Sequence, residues 1–135
     1  MAFAAAQAPK NTPVVSSNEQ IRTQVGQSLA SLKSAYESEN LPDFMGLLAR
    51  DFEDRLTFQS SLENYFTSNK TTELIIITDA VLINKGKISV RLHWFKKVMN
   101  NAGLFAKSEG SCQLVFLNSG QELKLLYIRG DNPFF

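Results

Sequence analysis

Residues 84–95 read Asn-Lys-Gly-Lys-Ile-Ser-Val-Arg-Leu-His-Trp-Phe, and this stretch decides the fold. Its first four residues form a hairpin turn, in which glycine supplies the positive φ that a tight turn needs. Apolar side chains then occupy every second position, at Ile88, Val90, Leu92 and Trp94. This period of two predicts a β-strand with one buried face. The stretch therefore predicts a turn followed by a half-buried strand.

Three further strands are predicted around this one. Residues 73–83 are rich in β-branched side chains and precede the turn, and residues 104–117 and 122–129 follow it after the turns at 100–103 and 118–121. The third strand is long, and Gly110 is where we expect a bulge or a bend. Because all connections are short, the strands are expected to be neighbours in chain order, as an antiparallel meander.

The residues before the strands repeat with helical periodicity. The first predicted helix spans about residues 18–39, with one apolar stripe made by Ile21, Val25, Leu29, Leu32 and Tyr36. A short second helix starts near Pro42 and closes at residues 50–52, and a third spans 60–68. The predicted class is α+β, with three helices packed on one face of a curved four-stranded sheet.

Residues 1–17 have a different composition, which is rich in Ala and Pro and lacks periodicity. We interpret them as a flexible arm or linker, and residues 18–135 as the folded domain. Ala2-Phe3-Ala4 matches the end of a secretory signal, and the arm equally fits an interdomain linker. Both interpretations favour a periplasmic, secreted or envelope-attached protein.

Composition excludes several classes of function. The 135 residues carry 14 Lys+Arg against 13 Asp+Glu, which gives no reason to expect nucleic acid, and no apolar run reaches the length of a membrane span. The basic pairs Lys85/Lys87 and Lys96/Lys97 are interpreted as solvated. With one His and the single Cys112, which is interpreted as a buried apolar residue, a Cys/His zinc site cannot form. We expect no metal and no cofactor.

Four segments resemble the nuclear-transport-factor-two-like superfamily, also called cystatin-like or SnoaL-like. They are Leu32–Tyr36, Glu39–Phe44, Leu47–Phe52 and the closing strand Leu125–Gly130. The resemblance implies a cone-shaped fold in which a curved sheet wraps a long helix and leaves a pocket at its open end. The aromatic residues that we expect to line this pocket are Tyr36, Tyr65, Trp94 and Tyr127.

The resemblance also allows the isomerase chemistry of that superfamily to be tested by residue. That chemistry needs a carboxylate base, a Tyr and a protonated Asp. In this chain the Tyr position falls near Leu32 and the base near Leu56, and the third strand contains no Asp. The isomerase set is therefore predicted to be absent. His93 and Asp54 are the remaining candidates for a catalytic base.

The orientation of the 88–95 strand decides the role of His93. If Trp94 faces the helices, Arg91, His93 and Phe95 lie on the outer face, and the apolar set favours this choice. In the reverse orientation, His93 and Arg91 line the cone with Tyr65 and Glu109. The predicted interface comprises Arg91, His93, Phe95 and Val115, which would serve a homodimer or a protein partner.

Two functions follow as hypotheses. The first is a non-catalytic ligand- or protein-binding or assembly module, exported or part of a larger envelope protein, with a small apolar ligand as one conceivable partner. The alternative is a small-molecule enzyme of the SnoaL-like cyclase/dehydratase type with a pocket inside the cone. The volume and lining of the cone separate the two.

Overall fold

The computed structural model describes residues 18–120 and 122–135, so the predicted arm at residues 1–17 lies outside the described residues. Three helices precede four strands. The helices are α1 (Asn18–Glu37), α2 (Leu41–Gly46) and α3 (Arg55–Ser68). The strands are β1 (Asn69–Asn84), β2 (Lys87–Asn100), β3 (Phe105–Asn118) and β4 (Leu123–Gly130).

The first helix has the boundaries and the buried stripe that its periodicity predicts. The buried positions along α1 are Ile21, Val25, Leu29, Leu32, Ala35 and Tyr36. At the start of α2, the Asn40 side chain accepts a hydrogen bond from the Asp43 N–H at 3.1 Å, which caps the helix. The apolar stripe of α1 thus becomes one wall of the core.

The second and third helices differ from the prediction at their ends. Helix α2 stops at Gly46 rather than at residues 50–52, and α3 begins at Arg55 rather than at residue 60. The guanidinium of Arg55 donates to the carbonyls of Met45 at 3.0 Å and Ala49 at 2.9 Å. These hydrogen bonds satisfy one carbonyl in the last turn of α2 and one just after it, and they hold the start of α3 against that turn. Local propensity does not encode such contacts.

The four strands form one strongly curled antiparallel sheet in the order β1-β2-β3-β4, and the helices pack in its concave side. The predicted α+β cone is therefore confirmed. The β1–β2 turn is the predicted one, with positive φ at Lys85 and Gly86. Register shifts interrupt the ladders at Thr71/Glu73, Thr78/Ala80 and Val115/Phe116.

Of the bulge or bend expected at Gly110, the bulge is absent. It pairs in regular register with Trp94. A Cβ at Gly110 would lie 2.8 Å from the Trp94 ring and 2.7 Å from Asp131 Cβ, so the glycine makes room for a neighbouring side chain. The packing of the Trp94 ring against β3 therefore requires a residue without a side chain at this position.

Strand β2 has the orientation that its alternating apolar residues favour, with Trp94 on the side of the helices. Ile88, Val90, Leu92 and Trp94 are buried, whereas Arg91 and Phe95 are exposed and His93 is partly exposed. The inward side chains of β2 pack with those of the helices and β3 in one core. His93 and Arg91 consequently lie outside the cone.

Candidate functional site

Aromatic rings occupy the interior of the cone. Tyr36, Phe44 and Phe134 are all fully buried. The Phe134 ring packs edge-on against Phe44, with centroids 4.9 Å apart, and against Tyr36 at 5.4 Å. Residues 131–135, which follow β4, thus place a side chain where the resemblance implies a pocket.

A buried lysine lies beside these rings. Lys96 is 7% exposed, and its ammonium donates to the Pro133 carbonyl at 2.8 Å and to the Tyr36 hydroxyl at 3.3 Å. The same nitrogen lies 4.8 Å from the ring centroid of Tyr65 and 5.5 Å from that of Trp94. Burial lowers the pKa of Lys96 from its ordinary value, while the surrounding π-faces and acceptors favour its cationic form.

A hydroxyl chain extends from this lysine. The Tyr36 hydroxyl accepts a hydrogen bond from Thr71 Oγ1 at 3.0 Å, and Thr71 Oγ1 lies 3.4 Å from the Tyr65 hydroxyl. Burial raises the pKa of Tyr36, so it stays a neutral phenol. The cluster therefore contains a satisfied cation and neutral hydroxyls, and the described residues place no carboxylate in contact with its ammonium.

Lys96 corrects one sequence-based expectation. The sequence predicts that Lys96 and Lys97 are solvated, and this prediction is wrong for Lys96. The signal was present in the sequence, because the period of two puts Lys96 on the same face as Leu92 and Trp94. A basic residue on a buried face requires local partners, and the Pro133 carbonyl and three rings supply them.

The structure brings together three of the four residues expected to line a pocket. Tyr36, Tyr65 and Trp94 surround the Lys96 ammonium. Tyr127 lies elsewhere, since it pairs with Val115 across β3 and β4 and its ring lies 4.2 Å from the Arg129 guanidinium. A register shift between Val115 and Phe116 lies next to this pair, since Val115 pairs with Tyr127 and Phe116 pairs with Leu125.

The two candidate bases do not share a site with that cluster. His93 Nδ1 lies 2.9 Å from Asp79 Oδ1 on the outer face, with about two fifths of each side chain exposed. Asp54 is exposed at the start of α3, where its φ of 54° is left-handed and its side chain makes no capping hydrogen bond. Leu32 and Leu56, at the positions expected for the isomerase groups, are buried and 79% exposed respectively.

The outer face of the sheet carries exposed apolar side chains. Ile75, Ile77 and Phe95 are 41%, 43% and 38% exposed, and Ile75 pairs with Phe95 across the strands. A shallow groove of about 460 Å³ crosses this region, and its lining includes Glu73, Lys97, Lys107 and Glu109. The outer face is thus apolar at its centre and charged at its margins.

Val115, the fourth residue of the predicted interface, is not part of an exposed surface. It is only 3% exposed. Its side chain lies between the cross-strand neighbours Ser89 and Tyr127, next to the bulge. The expectation that Val115 adds apolar surface is therefore wrong.

Membrane-spanning helices and clusters of metal ligands are absent from the described part of the chain. Its helices include none with the length and hydropathy of a membrane span, and within it no three His, Cys, Asp or Glu side chains cluster as metal ligands would. Cys112 is buried, and desolvation raises the pKa of its thiol to about 12. Its thiol therefore has little thiolate character at neutral pH.

Comparison with known proteins supports the fold alone. No family model matches the chain, and no curated protein matches it. A conserved protein from Planctomyces limnophilus aligns with a TM-score of 0.74 and 13% identity over 84% of this chain and 100% of that chain. A ketosteroid isomerase-like protein from Erwinia carotovora atroseptica aligns with a TM-score of 0.69 and 11% identity over 86% and 99%.

A third similar structure has a name that concerns assembly. It is a Thiobacillus denitrificans protein provisionally named as a calcium/calmodulin-dependent protein kinase type II association domain. It aligns with a TM-score of 0.62 and 12% identity over 78% of this chain and 91% of that chain. These likenesses agree with the nuclear-transport-factor-two-like fold, which hosts many unrelated functions.

Proposed function

We propose that this chain, which has the nuclear-transport-factor-two-like fold, is a non-catalytic association module whose outer sheet face binds a second copy of the chain. The observation that carries the proposal is the exposed apolar strip made by Ile75, Ile77 and Phe95. Contiguous apolar side chains on an exposed sheet face are typical of an interaction site. Burying them against a second copy removes this surface from water.

Glu73 and Lys107 at the margin of the strip are complementary between two copies, whereas Lys97 between them faces Lys97 of the second copy. Glu73, Lys97 and Lys107 form one cross-strand row over β1, β2 and β3. A two-fold axis parallel to β2 sets Glu73 of one copy against Lys107 of the other, on both sides of the axis. Lys97 extends over the Phe105 ring, with its ammonium 4.7 Å from the centroid. Such an isologous contact is the commonest way in which identical chains associate.

The cone interior supports a non-catalytic role. A cyclase or dehydratase needs a cavity with converging polar groups, whereas Phe134, Phe44 and Tyr36 fill the described interior. The buried Lys96 ammonium donates its hydrogen bonds to the Tyr36 hydroxyl and the Pro133 carbonyl of the same chain. The Thiobacillus denitrificans protein named as an association domain is a second reason to favour assembly.

The test is the mass of the chain in solution. Phe95→Asp puts a charge into the centre of the strip, and its control Leu56→Asp puts the same charge on the outer side of α3, where Leu56 is 79% exposed. Sedimentation equilibrium should show a dimer whose dissociation constant Phe95→Asp raises by at least about tenfold, equivalent to 1.4 kcal/mol. Leu56→Asp should leave it unchanged. A wild-type monomer at several hundred micromolar would contradict the proposal.

The proposal includes the cellular context expected from residues 1–17. The module is exported or attached to a larger envelope protein. Intact-mass analysis of the native protein tests this point, because a mature N-terminus near Ala5 supports export and a much larger mass supports attachment. A cytosolic product of unchanged mass would oppose both.

A further inference from the structure

One edge of the sheet is covered by another segment of the chain, and the other edge has no described strand beside it. The edge of β4 is covered by residues 47–53, since Leu125 N–H donates to the Leu47 carbonyl at 3.0 Å and Ala49 N–H donates to the Leu125 carbonyl at 2.7 Å. The opposite edge is β1, and no other described strand pairs along it. A long uncovered edge presents peptide groups that can pair with another strand.

The hydrogen bonds of Leu74 show which peptide groups of β1 point outward. Its N–H donates to Glu37 Oε2 at 2.7 Å, and its carbonyl accepts from the Lys33 ammonium, so helix α1 covers the edge at this residue. Peptide groups alternate along an antiparallel strand. The groups of Ile76 and Thr78 therefore also point away from β2, beyond the reach of that cover.

The β1–β2 turn provides a second marker at the other end. In a two-residue hairpin loop such as Lys85–Gly86, the flanking residues Asn84 and Lys87 form a hydrogen-bonded pair. By alternation, Ile83 and Val81 then point outward. From Leu74 the even-numbered residues point outward, whereas from the turn the odd-numbered ones do. The two patterns agree because the bulge between Thr78 and Ala80 adds one residue to β1 and shifts the alternation by one position.

The uncovered edge is also apolar. Ile77, Leu82 and Ile83 are 43%, 57% and 45% exposed. Ile77 and Leu82 lie on the outer face, and Ile83 lies on the inner face near the open end of the sheet. Natural edge strands are usually protected by charge, proline or a covering segment. Between Leu74 and Lys85 the described edge has only the side chain of Asp79 as a charge.

We propose that β1 pairs edge to edge and antiparallel with β1 of a second copy, joining two sheets into one. The register places Ile76 opposite Ile83 of the second copy and Thr78 opposite Val81. The two-fold axis passes through the bulge. Each of the four residue pairs exchanges two hydrogen bonds, which gives roughly eight across the interface. This interface lies along the β1 edge, shares only Ile77 with the outer-face strip, and does not rest on the proposed function.

The bulge makes this register unique. The outward residues Ile76, Thr78, Val81 and Ile83 are symmetric about residues 79 and 80. A slip by two residues leaves at least one pair of outward groups facing groups already bonded to β2. The same register keeps inner residues opposite inner residues, as a pleated sheet requires. It also places the exposed Ile77 directly opposite Leu82, in a pair without mutual hydrogen bonds.

Charges at the ends of the ladder match as well. The register continues to bring Glu73, which is exposed, opposite the Lys85–Gly86–Lys87 turn of the second copy, once at each end. Opposite charges at the margin of an interface favour the correct partner and register more than they add affinity. The peptide groups of Leu74 are already bonded to Lys33 and Glu37 of α1, so the hydrogen bonds between the two copies end before Leu74, next to this charged pair.

Hydrogen exchange tests the edge in the wild-type chain. The amides of Ile76, Thr78, Val81 and Ile83 should exchange at least about tenfold more slowly at millimolar than at low micromolar concentration. The amide of Leu74 is the internal control, because Glu37 protects it at every concentration. Fast exchange of the four amides at both concentrations overturns the proposal. Protection that does not change on dilution also overturns it, since the cover is then within one copy.

A disulfide tests the register. Ile77→Cys with Leu82→Cys places thiols opposite each other across the axis, at the separation of about 4.5 Å between Cα atoms that a non-hydrogen-bonded pair allows. The control Ile75→Cys with Leu82→Cys is offset by two residues. Diamide as oxidant should link only the first variant into dimers, and the buried Cys112 should not react. Equal linkage of both variants, or linkage of neither, overturns the proposal.

The same assay separates the edge from the outer face. Adding Phe95→Asp to the linked variant should leave the cross-link intact, because Phe95 lies on β2, one strand in from the edge. Loss of the cross-link in that background overturns the claim that the edge acts independently. A further outcome is that the cross-link persists while sedimentation equilibrium gives the Phe95→Asp variant the same mass as the wild-type chain. That combination would contradict the proposed function and support the edge interface.

Discussion

Replacing Phe134 with alanine should cost more stability than any other change in residues 131–135. Its side chain is fully buried against Tyr36 and Phe44. Truncating a buried Phe removes its transfer free energy and leaves a cavity, which together cost about 3–5 kcal/mol. For a domain of this size each kcal/mol lowers Tm by about 3–6 °C, so Phe134→Ala should lower Tm by roughly 10–30 °C.

The neighbouring residue provides the matched control. Phe135 is 41% exposed and makes one edge-on contact with Phe58, with centroids 5.0 Å apart. Phe135→Ala should therefore cost about 1 kcal/mol or less. Urea unfolding followed by fluorescence measures both variants, because Trp94 is the only tryptophan and its indole N–H donates to the Asp131 carbonyl at 2.9 Å. Equal costs for the two variants would refute the idea that residues 131–135 dock into the cone.

Two further predictions concern buried titratable groups. Burial lowers the folded-state pKa of Lys96 below its ordinary 10.5, so the unfolded chain binds that proton more tightly and the free energy of unfolding should rise with pH up to about 10. Lys96→Met should flatten this rise, and an unchanged slope in urea titrations at several pH values would contradict the assignment. Cys112, with its pKa raised to about 12, should react with iodoacetamide at pH 8 only as fast as the chain unfolds. Alkylation at the rate of a free thiol would show that the site is open.

Sequence reasoning worked where one periodicity sets both the element and its buried face. In β2 the alternation from Ile88 to Trp94 predicts the strand, the turn before it and the outward position of His93. The same alternation continues to Lys96, whose burial could have been predicted if the pattern had been followed past the last apolar residue. The charge of Lys96 favours a solvated position, whereas its place in the alternation favours a buried one, and the alternation decides.

Other features depend on contacts between distant segments. The end of α2 is set by Arg55 and by the pairing of residues 47–53 with β4, which no local signal contains. The space at Gly110 is needed for the Trp94 ring, although a glycine in a strand is equally typical of a bulge. Val115 is buried although it lies on the opposite face of β3 from Leu114 and Phe116, and its cross-strand partners are Ser89 and Tyr127. Each of these outcomes depends on a contact between different elements of the fold.

The sequence by itself determined the order of helices and strands and the inward face of β2, because hydrophobic periodicity acts over a few residues. Only the tertiary structure decided what occupies the cone and which edge of the sheet stays open. Phe134 reaches the interior from the segment after β4, and residues 47–53 cover one edge while β1 remains unpaired among the described residues. The filling of the cone and the covering of one edge both depend on packing and hydrogen bonds between segments far apart in the chain. The curl of the sheet brings these segments together.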